Sequence, residues 1–142
     1  MRRFVVDASV AIKWYVPESA SDAALGLLDD EVELSSPDLL YAEVGNILWK
    51  KFRRREITQD EGYAALGALR RTPISIHSTG SPQLADHAFR VATEAGSTYY
   101  DSLYVSLAAL LGCPLVTADR RLFERFQSES LGPFLLRLED FH

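Results

Sequence analysis

Gly112-Cys113-Pro114-Leu115-Val116-Thr117-Ala118-Asp119-Arg120-Arg121-Leu122 is the stretch that decides the fold. Gly112 is a helix stop, Pro114 to Thr117 a short buried strand, and Asp119 the cap of a new helix. A strand tucked between two helices by such short loops belongs to a parallel sheet. Upstream, Tyr100 to Leu111 is a helix, and Ser81-Pro82 opens another that runs to Ala95 before Gly96. Ile74 to His77 reads as a strand. Thr58-Gln59-Asp60-Glu61 is a capping box that opens a helix to Leu69. Leu39 to Arg54 is a long helix with Leu40, Val44, Ile47 and Leu48 on its apolar stripe. Glu33 to Ser36 and Arg3 to Val6 are strands, with a helix from Ser19 to Leu28 between them. Downstream, the helix after Asp119 reaches Gln127, and Phe134 to Leu138 is a final edge strand.

The expectation is a single three-layer α/β/α domain over residues 1–142, with a mostly parallel sheet of four or five strands. Hydrophobic residues at 47% and charged residues at 25% exclude a disordered or coiled-coil chain. No apolar run reaches the length of a membrane span. The basic start meets Asp7 after three apolar residues, too soon for a signal-peptide core, so a cytoplasmic location is expected. The lone Cys113 excludes an internal disulfide and a cysteine-built zinc site.

A net charge of −5 speaks against a nucleic-acid partner, but the average conceals a segregation. Glu18 to Glu43 carries eight acids and no Lys or Arg. Directly after come Lys50, Lys51, Arg53, Arg54 and Arg55, and later Arg120 and Arg121. These are candidates for a phosphate-binding surface, although basic side chains also suit a helix C-terminus. Phe52, among them, is expected to pack rather than to stack on a base.

Ligands of open parallel sheets bind beyond the carboxyl ends of the strands. Asp7 ends the first strand, Asp119 follows the 114–117 strand, Asp101 opens a helix, and Glu43 lies one turn into the long helix. Glu43, Asn46 and Lys50 share one face of that helix. Each acid alone has an ordinary use, Asp101 and Asp119 as helix starters, Asp7 in a turn and Glu43 on an exposed helix face; together they can meet in one crevice. Clustered carboxylates repel by about 4 kcal/mol per pair at 4 Å and an effective dielectric near 20, so they share protons or hold a cation. An all-oxygen donor set selects Mg2+ or Mn2+ over Zn2+, and His77, His87 and His142 show no ligand spacing. Such a site suits phosphate chemistry.

Four segments carry a family resemblance. Val5-Val6-Asp7-Ala8-Ser9-Val10, Leu40-Tyr41-Ala42-Glu43-Val44-Gly45-Asn46-Ile47-Leu48, Tyr100-Asp101-Ser102-Leu103-Tyr104-Val105-Ser106-Leu107-Ala108 and Leu115-Val116-Thr117-Ala118-Asp119-Arg120-Arg121-Leu122 resemble, in order, the motifs of PIN-domain nucleases, particularly the VapC-type ribonuclease toxins. Ser102 stands where the family commonly has alanine. The resemblance implies an Mg2+- or Mn2+-dependent endoribonuclease with Asp7, Glu43, Asp101 and Asp119 as its acidic metal site. It implies that Ser9 and Asn46 hydrogen-bond around that site and that Thr117 positions Asp119 or a water. It also implies an RNA substrate, a homodimer, and neutralisation by a small antitoxin with a DNA-binding domain.

Other Mg2+-using α/β classes fit less well. A haloacid-dehalogenase-like phosphatase needs a second aspartate where Ser9 stands, and a receiver domain needs a late lysine, yet none follows Lys51. A von Willebrand-type metal site, Asp-x-Ser-x-Ser, fails at Ala11. A PIN-like protein that binds RNA without cutting it is the remaining alternative, with all four acids in place.

Overall fold

The computed structural model describes residues 1–142. Its elements in chain order are β1 (Arg2–Val6), α1 (Ala8–Ala11), α2 (Ser21–Gly26), β2 (Val32–Pro37), α3 (Leu39–Arg53), α4 (Gln59–Arg71), β3 (Ser75–His77), α5 (Pro82–Ala95), α6 (Tyr99–Leu111), β4 (Leu115–Thr117), α7 (Arg120–Phe126) and β5 (Leu135–Arg137). The five strands form one sheet in the order β3-β2-β1-β4-β5, and every pairing is parallel. The expected α/β/α class is thus observed, with a wholly parallel sheet. No helix is long and apolar enough to cross a membrane.

The alternation of side chains along β1 builds two cores. Val5, paired with Leu115, faces α5, α6 and α7 in a cluster that includes Leu103, Tyr104 and Phe126. Phe4 and Val6 point the other way, with Leu34 and Val116, onto Ala24 and Leu27 of the α2 region and onto Leu138 and Phe141. Ala8, Ala11, Leu40, Val44, Leu48 and Leu69 extend that second layer through α1, α3 and α4. Each fully buried Val or Leu contributes about 1.5–3 kcal/mol, enough for the sheet to fix where its strands end.

The chain builds outward from β1 through β2 to β3, then returns to lay β4 and β5 on the opposite side of β1. The carboxyl ends of β1 and β4 therefore flank the point where the winding reverses, which is where ligands bind in such sheets.

The structure departs from the sequence reading mainly at loop boundaries. The helix expected over 19–28 spans only Ser21–Gly26, because Ala20 is left-handed (φ 62°) and Ser21 Oγ closes a turn with Glu18. A one-turn helix, α1, follows β1 directly; Asp7 caps it by accepting from the Val10 amide. The last strand is trimmed to Leu135–Arg137, between two short 3-10 turns. Phe52, expected to pack, is nearly half exposed.

Candidate active site

Because β1 and β4 run in register, Val6 beside Val116, the residues that follow them emerge together. Asp7 is 4% exposed and is held by hydroxyls from both strand ends. Its Oδ1 accepts from Ser9 Oγ at 2.5 Å and from the Val10 amide at 3.2 Å, and its Oδ2 accepts from Thr117 Oγ1 at 2.5 Å. Thr117 Oγ1 also accepts from the Asp119 amide at 3.0 Å, and Ser9 Oγ accepts from the Ala118 amide at 2.9 Å. Two small hydroxyls thus lock the β1 and β4 termini to one carboxylate. Burial pushes the Asp7 carboxyl up to about 6, against the pull of these donors and with a smaller push from the Asp119 charge.

The other three acids surround it. Asp7, Glu43, Asp101 and Asp119 line one crevice of about 410 Å³, together with Asn46, Lys50, Tyr100 and Tyr104. Asp119 keeps its capping role, accepting from the Arg121 and Leu122 amides, so α7 fixes its orientation. Asp101 is released from that role: Thr98 caps α6 by accepting from the Asp101 amide, and the Asp101 carboxylate faces the crevice. Burial raises the carboxyls of Glu43 and Asp101 above their ordinary values, and the neighbouring Asp119 charge adds to both. None of the seven ion pairs in the molecule involves any of the four acids.

Tyr104 is the residue that the sequence reading did not single out as part of this site. Its buried hydroxyl donates to Glu43 Oε1 at 2.6 Å, and burial and the Glu43 charge hold it firmly protonated. It stands one turn beyond Asp101 on α6, a spacing that places both on one side of the helix. Asn46 lines the crevice, but its side chain makes no hydrogen bond to the four acids.

The donor set fits a hard divalent cation in its chemistry: oxygen ligands only, and negative charge with no ion-paired side chain to offset it. No three of the acids converge as a ready-made cage. Mg2+ needs none, since it retains waters and takes one or two carboxylates directly. A larger groove of about 990 Å³ borders the starts of β1, β2 and β3 and contains none of the four acids.

The basic candidates divide by position. Lys50 lines the crevice. Lys51 is only 12% exposed and is bound to Glu18 and Glu56, so it fastens the Glu18 loop to α3. Arg53 lies over the Trp49 ring, its guanidinium carbon 5.3 Å from the centroid. Arg54 and Arg55 are exposed at the end of α3. Arg120, 88% exposed, pairs with Glu124, and Arg121 faces solvent.

Comparison with known proteins agrees with this architecture. The chain is 38% identical over 126 residues to a Pyrobaculum aerophilum protein named Ribonuclease VapC3, covering 87% of this chain and 95% of that one. It is 37% identical over 125 residues to Ribonuclease VapC1 of Mycobacterium tuberculosis, covering 86% and 90%. The crystal structure of PAE2754 from Pyrobaculum aerophilum superposes with a TM-score of 0.70 at 26% identity, covering 97% of this chain and 85% of that one. The fold is also that of a chain in VapBC2 from Rickettsia felis, solved bound to a DNA fragment from its promoter, with a TM-score of 0.69 at 16% identity over 95% and 98% of the two chains. The family model described as PIN domain matches residues 4–128, and the chain belongs to that family.

Proposed function

We propose that the protein is an endoribonuclease that uses Mg2+ or Mn2+, and that it is the toxin of a toxin–antitoxin pair. The observation that carries this reading is the crevice at the β1/β4 switch point, where four carboxylates gather without an ion-paired cation. Relatives named as ribonucleases, similar along most of both lengths, support it.

Asp7, Glu43, Asp101 and Asp119 would hold the metal. When bound, such an ion polarises a phosphoryl oxygen and makes a water a stronger nucleophile. The remaining work falls to the protein. Ser9 and Thr117 fix the Asp7 carboxylate from both sides, so it does not have to be ordered when substrate arrives. Tyr104 occupies Glu43 Oε1 and leaves Oε2 open to a ligand or to a proton from the attacking water. The Lys50 ammonium at the crevice holds a substrate phosphate. Water adds to phosphorus in line as the P–O3′ bond breaks, giving a 5′-phosphate and a 3′-hydroxyl.

In the same reading the protein acts in the cytoplasm as a homodimer. Its partner is a small antitoxin with a DNA-binding domain, which places a cationic side chain among the four acids. Incubation with total RNA in Mg2+ or in chelator, followed by mapping of new 5′ ends, tests the activity. Discrete 5′-phosphate ends that need the metal are expected; intact RNA in both conditions contradicts it.

A further inference from the structure

A second cavity, of about 360 Å³, opens at the same end of the sheet, where β4 and β5 finish side by side with Thr117 paired to Arg137. It borders the acidic crevice at Asp119, which lines both. Its walls come from distant segments: Lys13 after α1, Ser19 and Ala20 of the loop before α2, Phe123 of α7, Arg137 ending β5, and Glu139 just after it.

These walls are held in ways that the hydrophobic core does not explain. Ala20 stands in the left-handed region (φ 62°), which is strained for a residue with a Cβ. Lys13 is 9% exposed, and its ammonium donates to Glu18 Oε1 at 3.2 Å and to the Ser19 carbonyl at 2.7 Å. An ammonium has three donors, so one N–H remains for an acceptor in the cavity. Arg137 is fixed as a plane: its Nε donates to Asp140 Oδ2 at 2.8 Å, and its Nη1 lies 3.3 Å from Glu139 Oε1. Its guanidinium carbon lies 5.5 Å from the Phe123 ring centroid, and its Nη2 has no protein partner.

The charge of the cavity selects its occupant. Lys13, Arg120 and Arg137 are matched by Asp119, Glu124 and Glu139, three cations against three acids, so the lining has no net pull on a phosphate. It suits a flat, uncharged ligand that carries both acceptors and donors. A nucleobase is such a ligand, since it stacks on a guanidinium plane and hydrogen-bonds along its edges. Guanine fits this lining better than the other RNA bases. It has two adjacent acceptors, O6 and N7, on one edge, and two adjacent donors, N1–H and the N2 amino group, on another. Lys13 and Arg137 supply donors for the first edge, and the glutamates supply acceptors for the second.

We propose that this cavity is a base-reading subsite that seats a guanine of the nucleotide next to the scissile phosphate. The proposal rests on the ribonuclease reading above and goes further: it assigns a sequence preference of cleavage to residues outside the four acids.

The test has a binding arm and a cleavage arm. In the first, metal-free protein in chelator is titrated with guanosine, adenosine, cytidine and uridine, and binding is followed by amide NMR shifts. Guanosine, which carries no phosphate, is expected to bind about 10-fold more tightly than the others and to shift the amides of Ala118, Arg120 and Glu139. Ala118→Leu fills the cavity from an exposed position, and Arg137→Ala removes the plane. Each is expected to weaken guanosine about 10-fold with the circular dichroism spectrum unchanged. In the second arm, 5′ ends produced from total RNA in Mg2+ are expected to show guanine enriched at one position adjoining the cut by the wild type, and no such enrichment in either variant. Equal binding of the four nucleosides, shifts confined to the acidic crevice, or guanine enrichment that survives in both variants overturns the subsite while the nuclease reading stands. Discrete ends with no guanine enriched beside the cut overturn it as well. Intact RNA in Mg2+ removes the ribonuclease reading, and the assignment falls with it even where guanosine binds.

Discussion

The Tyr104 hydroxyl donates to Glu43 Oε1 at 2.6 Å, so a buried residue of α6 sets the position of an acid on α3. The two helices that form the walls of the crevice are thereby joined at the site. Tyr104→Phe removes this single bond from a packed ring whose shape it preserves. Ribonuclease activity should fall by about 10-fold, matching the 1.5–3 kcal/mol of a hydrogen bond to a charged group, with the circular dichroism spectrum unchanged. Wild-type turnover in this variant would show that Glu43 needs no such restraint.

Thr117 does for Asp7 what Tyr104 does for Glu43, and it also receives the Asp119 amide. Thr117→Val keeps the volume but leaves Asp7 Oδ2 and the Asp119 amide without their partner. Activity is expected to drop by at least 10-fold, and Thr117→Ser, which keeps the hydroxyl, should restore most of it. Equal activity in the Val and Ser variants would reduce Thr117 to a packing residue.

Burial raises Asp7 to about 6 in the folded protein, against 3.8 for an ordinary aspartate. Between these values the folded state keeps a proton that the unfolded state releases, so metal-free stability should fall as pH rises from about 4 through 6. The loss is about 2–3 kcal/mol, complete above pH 6 and absent below the unfolded value. Glu43 and Asp101 shift in the same direction, while Glu18, lowered by its lysines, opposes them. Thermal unfolding in chelator should show a flatter pH profile for Asp7→Asn than for the wild type, and Mg2+ should stabilise the wild type at pH 7. Identical profiles for the two proteins would refute the assignment of a buried Asp7 carboxyl that holds its proton to about pH 6.

Lys51 and Arg54 are near neighbours in the basic run with opposite roles. Replacing Arg53, Arg54 and Arg55 by Ala should weaken RNA binding and flatten its dependence on salt, at little cost in stability. Lys51→Ala should instead lower the melting temperature, because Glu18 loses a partner in a partly buried pair. Binding titrations at two salt concentrations, alongside melting curves, separate the two effects.

These contrasts show what the sequence made legible. The helix limits were readable wherever the chain punctuates itself: Ser81-Pro82 and Gly96 bound α5, the Thr58–Glu61 box opens α4, and Gly112 ends α6. Asp7 and Asp119 were readable because strand ends in a parallel sheet face one side, and Glu43 and Asp101 because each lies within the first turns of a helix that can open onto that side. Tyr104 was not, since a tyrosine on an apolar helix face looks like core until its partner, 61 residues away, is known. Nor was Lys51, whose role is set by Glu18 arriving from a distant loop, while sequence gives every residue of a basic run the same prospects. Asp7 both caps α1 and faces the crevice, and a one-turn helix is too short to show a period.

The central claim is that the four carboxylates form the catalytic centre of a metal-dependent ribonuclease, and Asp101 tests it most directly because its side chain caps nothing. Asp101→Asn and Asp7→Asn, purified and checked for native circular dichroism, should lose Mg2+-dependent cleavage of RNA by a factor of 100 or more, the scale set by a missing charge in the transition state. Cleavage at the wild-type rate in either variant would contradict the account.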